Sequence, residues 1–114
     1  MDAFIRRNMG DLELSRDVAA IFIDHRKEYI EAIRNAITAH DAVALRESAH
    51  KLKGAAANLA LPLLLETAGM IESRADRIDT DKVTKLLSEL EQRFEQAVEA
   101  IQEQLISPSE KADQ

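Results

Sequence analysis

Arg46-Glu47-Ser48-Ala49-His50-Lys51-Leu52-Lys53-Gly54-Ala55-Ala56-Ala57-Asn58-Leu59-Ala60-Leu61 is the stretch on which the rest of the chain is organised. Its alanines, leucines and lysines are strong helix formers. Wound at about 100° per residue with His50 at the origin, Leu45, Leu52 and Leu59 fall within roughly 40° of the opposite pole. Ala49, Ala55 and Ala56 flank that leucine stripe, so a buried face is complete without His50 and the imidazole points outward.

The outward face has few long side chains. Gly54 and Ala57 stand one and two turns beyond His50, where a solvated helix face would carry long polar residues. A glycine in mid-helix costs about 1 kcal/mol relative to alanine, and the bare patch lets another macromolecule approach the ring. Arg46 and Lys53 lie at i−4 and i+3 from His50, within reach of it, and Lys51 lies to one side. Cationic neighbours disfavour an imidazolium and favour a neutral ring with a nucleophilic nitrogen. The same charges would stabilise an anion attached there, and phosphate, with nearly two charges and three acceptor oxygens, is the obvious candidate.

On the N-terminal side, Asp2 to Met9 is expected to form a short amphipathic helix with Phe4, Ile5 and Met9 apolar and Gly10 as its stop. From Asp11 to about Ala39, Leu14, Val18, Ile21, Phe22, Tyr29, Ile33 and Ile37 recur at the intervals of one long helix. His25 falls in that stripe and reads as a packing residue, His40 as a linker residue, and Asp41 as the N-cap of the helix carrying His50, which runs from about Ala42 to Leu59. Pro62 suits the first turn of the next helix, marked by Leu64, Ala68, Ile71, Ala75 and Ile78. Asp79 or Thr80 caps a last helix whose seam is Val83, Leu86, Leu87, Leu90, Phe94, Val98, Ile101 and Leu105. Ser107 and Pro108 end it. Short connections between long helices imply antiparallel neighbours, so the expected fold is all-α: an up-down antiparallel four-helix bundle with a short extra N-terminal helix, over residues 1–106, followed by a polar tail or linker over 107–114.

Composition is consistent with this plan and closes off other chemistry. The chain has 114 residues, 46% apolar and 32% charged, enough for one domain with one modest core. A net charge of −6 argues against nucleic acid as partner. The absence of cysteine excludes disulfides, thiolate metal sites and thiol catalysis and fits a cytoplasmic location. Arg6 and Arg7 are not followed by an apolar run, so no signal peptide is expected, and no run of about 18 apolar residues calls for membrane insertion. Glu47 to His50 has the Glu-x-x-His spacing of carboxylate-bridged di-iron bundles. Such sites use the motif twice and face inward, whereas neither His25 nor His40 has an acid three residues before it. No phosphate-cradling glycine loop is present. Ser48 and Ser73 have no base arranged around them.

Residues 49–60, Ala-His-Lys-Leu-Lys-Gly-Ala-Ala-Ala-Asn-Leu-Ala, resemble the signature of histidine phosphotransfer (HPt) domains, Ala-His-x-Leu-Lys-Gly-x-x-x-Asn-Leu-Gly. The single departure is Ala60 in place of the last glycine. The resemblance implies that His50 is the phospho-acceptor through Nε2, that Lys53 steadies the phosphoryl group and that Gly54 opens access to it. It also implies a docking surface, for which Arg46, Lys51, Ala57, Asn58, Phe4 and Ile5 are the candidates. The implied partners are response-regulator receiver domains and a hybrid sensor histidine kinase. No cofactor is expected on this domain, and Mg²⁺ is expected on the receiver. The domain would be a monomeric carrier without ATP-dependent kinase activity, and the alternative is an interaction-only helical scaffold of the same shape.

Overall fold

Three aspartates start three helices and three left-handed residues end three, and these boundaries set the architecture. The computed structural model describes residues 2–106: α1 Asp2–Arg7, α2 Leu12–Asp24, α3 Arg26–Thr38, α4 Ala42–Asn58, α5 Pro62–Ser73, α6 Thr80–Ile101 and a closing π-helix Gln102–Ile106, with no strand among them. The side chains of Asp11, Asp41 and Asp79 accept from the backbone N–H groups of Leu14, Ala44 and Lys82, as N-caps do. Pro62 opens α5 at a position whose N–H has no intrahelical partner.

The left-handed residues other than glycine are Met9, His40 and Ala60, with φ of 59°, 50° and 54°. Each follows a helix by two residues and closes it with the same pair of bonds. At α4 these are Ala60 N–H to Ala57 O (3.1 Å) and Leu61 N–H to Ala56 O (2.9 Å). At α3 they are His40 to Ile37 (3.1 Å) and Asp41 to Ala36 (3.0 Å), and at α1 Met9 to Arg6 (2.9 Å) and Gly10 to Ile5 (3.0 Å). Gly10, expected as the stop of α1, follows Met9 and is itself left-handed at φ 76°.

Helices α3, α4, α5 and α6 pack in a ring, each against the next, and α3 closes it against α6. Helix α2 extends α3 beyond the ring to meet the π-helix, with α1 packed beside it. The up-down bundle with an extra N-terminal helix is therefore the observed plan, with one modification: the single helix expected over 11–39 is two. They part at His25, where φ is −93° and ψ is 5°. The His25 ring Nδ1 lies 2.8 Å from the Ile21 carbonyl, an acceptor already used by the His25 backbone N–H at 3.1 Å, and a side chain competing for that ladder breaks the helix. His25 is exposed, not packed in the apolar stripe as expected. Leu14 and Ile21 are 45% and 59% exposed, so the buried face of α2 is Ser15, Ala19 and Phe22 instead.

Two further expectations change. The third bundle helix stops at Ser73, because Arg74, Ala75 and Arg77 bond back three residues in tight turns, although Ala75 is buried and Ile78 packs against the core. Phe4, placed on a docking face by the sequence, is 1% exposed and belongs to the core, and Ile5 is partly buried against it. Phe22 stacks on Phe94 at 4.8 Å with Tyr29 tilted against both, tying α2, α3 and α6 together. Arg26 to Glu95 (2.8 Å) and Arg34 to Glu91 (2.6 Å) bridge α3 and α6 at the surface. Arg16 Nε donates to the Leu105 carbonyl at 2.6 Å and fastens the π-helix to α2. The tail expected from Ser107 to Gln114 lies outside the described residues.

Candidate functional site

Helices α4 and α5 form an antiparallel hairpin about the left-handed turn at Ala60, and their register builds the site. Each step back along α4 is matched by an equal step forward along α5 and the turn that follows it. Lys53 lies over Gly69, His50 meets Glu72, and Arg46 meets Asp76. Leu45, Ala49, Leu52 and Ala56 of α4 are fully buried, with Leu59 beyond them, which is the stripe read from the sequence. His50 consequently stands outside, its side chain 69% exposed.

The imidazole is held by a carboxylate. Glu72 Oε2 lies 2.6 Å from His50 Nδ1, and Glu72 Oε1 accepts from Lys53 Nζ at 2.7 Å. Lys53 reaches across over Gly69, where a β-carbon would stand 3.5 Å from Lys53 Cδ, in ordinary van der Waals contact. The Glu72 side chain is 20% exposed. The hydrogen bond from Lys53 holds its carboxyl below the usual carboxylate range, burial opposes this, and the His50 contact adds to the lowering. An ionised carboxylate can only accept, so the 2.6 Å contact requires the proton on Nδ1. In the neutral ring Nε2 is then the nitrogen with the free lone pair.

The cationic cluster expected around His50 is already neutralised in part. Arg46 pairs with Asp76 and Lys53 with Glu72. Lys51, without an ion-pair partner among the described residues, lines a shallow groove with Ile21, His25, Glu28, Tyr29 and Glu47. Gly54 is open: a β-carbon built on it meets nothing within 4 Å. Ala57 is partly buried, and its carbonyl accepts from Arg7 Nη1 at 3.0 Å, while Asn58, the last residue of α4, is exposed. Phe4 lies in the core and Ile5 is partly buried against it.

Glu72, Gly69 and Arg7 were not singled out by sequence reasoning. The first two follow from the register of the hairpin, and a signal exists in the near-equal distances of His50 and Glu72 from the turn at Ala60 and Leu61. No comparable spacing points to Arg7. Among the described residues no three metal-ligating side chains converge, and no helix is long and apolar enough to cross a membrane.

Residues 17–104 match the family model of the Hpt domain, and the chain belongs to that family of histidine-bearing phosphocarrier domains. The searches of curated proteins and of solved structures returned no match. Hpt domains carry phosphoryl groups rather than generate them from ATP, and they interact with the receiver domains of response regulators.

Proposed function

We propose that this domain takes a phosphoryl group from a receiver-domain aspartyl phosphate onto Nε2 of His50 and gives it to the aspartate of another receiver. The observation that carries this reading is the contact of Glu72 with both His50 and Lys53. With the proton on Nδ1, the Nε2 lone pair attacks phosphorus. The N–P bond forms, the P–O bond to the aspartate breaks, and its electron pair leaves with the aspartate carboxylate. The ring now carries a positive charge, spread toward an Nδ1–H that faces the Glu72 carboxylate, so no proton need leave. In the return step the P–N bond breaks, its electrons return to Nε2, and the second aspartate takes the phosphoryl group. Retaining the proton on Nδ1 keeps the imidazole a good leaving group.

Lys53 has three N–H donors on a compact ammonium. One serves Glu72 and the others can turn to the phosphoryl oxygens. Gly54, with nothing near its α-carbon, leaves room for the receiver's edge. Mg²⁺ and most of the groups acting on phosphorus belong to the receiver in this scheme, as does the cytoplasmic setting in which such partners meet.

The test is phosphoryl transfer from a panel of phosphorylated receivers to the wild-type domain, His50→Gln and Lys53→Ala. An acid-labile, alkali-stable label on the wild type, missing from His50→Gln and slower to form on Lys53→Ala, is the expected result. A folded wild-type domain that no receiver labels would sink the proposal and leave an interaction-only scaffold.

A further inference from the structure

Arg7 ends α1 and reaches over to α4, fifty residues on in the chain, where its Nη1 donates to the Ala57 carbonyl. That carbonyl belongs to the last turn of α4, and a guanidinium at a helix C-terminus is favourable in itself. The contact does more than cap, because of where Ala57 stands. Seven residues after His50, it points within about 20° of the same direction and lies about 10 Å further along the axis. His50, Gly54 and Ala57 therefore form one strip, and Arg7 closes its far end.

The charges beside the strip are unequal in availability. Arg46 and Lys53 are committed to Asp76 and Glu72. Arg7 is exposed, uses one of its five N–H donors on Ala57, and has no carboxylate within ion-pair reach among the described residues. A receiver that holds Mg²⁺ does so with carboxylates, so the rim of its phosphoryl site is acidic. A protein interface of ordinary size covers about 800 Å² on each partner, a disc of roughly 16 Å radius. Centred on His50, such a disc reaches past Ala57 to the Arg7 guanidinium.

We propose that Arg7 is a docking residue for the receiver, donating its remaining N–H groups to carboxylates on the acidic rim while Nε2 of His50 faces the phosphoryl group. This rests on the phosphotransfer reading above and deepens it: the docking role that sequence gave to the apolar face of α1 falls instead to the cation at its end. The side chain is pre-ordered by the Ala57 bond, which lowers the entropy lost on docking.

The experiment compares wild type, Arg7→Lys, Arg7→Ala, Arg7→Glu and His50→Gln with two donors: receiver domains phosphorylated with acetyl phosphate, and phosphoramidate, a small donor that needs no docking surface. The quantity read is the ratio of the receiver-dependent to the phosphoramidate-dependent rate. At low salt the ratio should fall about threefold in Arg7→Ala and about tenfold in Arg7→Glu, stay near wild type in Arg7→Lys, and converge among variants as ionic strength rises. An Arg7→Glu ratio equal to wild type overturns the docking role and leaves phosphotransfer standing. A parallel fall with both donors also overturns it, since that reports damage to the His50 face. A wild type that phosphoramidate labels and no receiver does overturns both proposals.

Discussion

Replacing Gly54 separates the stability of the helix from access to its histidine. Gly54 lies in the middle of α4 in helical conformation, and a β-carbon placed on it meets no atom within 4 Å. Alanine there costs nothing in packing and recovers the helix propensity that glycine lacks, about 1 kcal/mol. For a domain of this size that is worth roughly 4 °C in melting temperature. The methyl group projects from the same strip as His50, one turn along, into the space a receiver would occupy. Gly54→Ala should therefore melt higher than wild type and accept phosphate from receivers more slowly, and Gly54→Leu should all but lose transfer from receivers while phosphoramidate still labels it. Thermal unfolding followed by circular dichroism gives the first quantity and labelling with the two donors the second. An alanine variant no more stable than wild type would refute the stability reasoning. A leucine variant with normal receiver transfer would refute the clearance argument, and glycine at 54 would then need another explanation.

Two other sites give independent checks. Ala60 sits at φ 54°, a conformation that costs an L-residue about 1 kcal/mol or more and glycine almost nothing. Allowing for the greater freedom of glycine in the unfolded chain, Ala60→Gly should raise stability by about 0.5 kcal/mol in urea titration, and an equal or lower midpoint would contradict the turn geometry. Glu72 has a lowered carboxyl pKa in the folded state, so its contribution to stability is present above the usual carboxylate value of about 4.3 and is lost as pH falls through the lowered one. Glu72→Gln should consequently be less stable than wild type at neutral pH, with the gap closing in acid. A gap that stays constant with pH would remove the ionised carboxylate from the account.

The four helices of the ring and the buried stripe of α4 were legible because they rest on periodicity, and two of the three aspartate N-caps, Asp41 and Asp79, were visible as candidates. Helix ends were harder. Met9, His40 and Ala60 occupy positions where glycine is the usual signal, so nothing in their identity announces a left-handed residue. The break at His25 depends on a side chain bonding to the Ile21 carbonyl, a local competition that apolar spacing does not register. Phe4 was read correctly as apolar, but its place among the docking candidates does not fit its burial, since a six-residue amphipathic helix does not say which surface it will cover. His50, Lys53 and Gly54 were readable from one helix. Their carboxylate partner was not, because Glu72 enters only when α5 folds back on α4.

That single carboxylate changes how the site's electrostatics should be understood. From sequence, the histidine stood among cations that would hold an incoming anion by net positive charge. In the folded domain Lys53 and Arg46 are each balanced by an acid, and Lys51 is the cation beside the ring that has no ion-pair partner among the described residues. In the proposed transfer, arrival of a phosphoryl group would add nearly two negative charges within reach of Lys53, and the ammonium would then be shared between Glu72 and phosphate. What Glu72 would lose from Lys53 it would regain from the ring, because phosphorylation at Nε2 would place positive charge on the imidazole whose Nδ1 it already contacts. The charge rearrangement is thus confined to three side chains on two paired helices. A carrier arranged in this way would hold its phosphoryl group with Lys53 and Arg46 already balanced by acids, so that the group could be handed on without leaving those two cations unpaired.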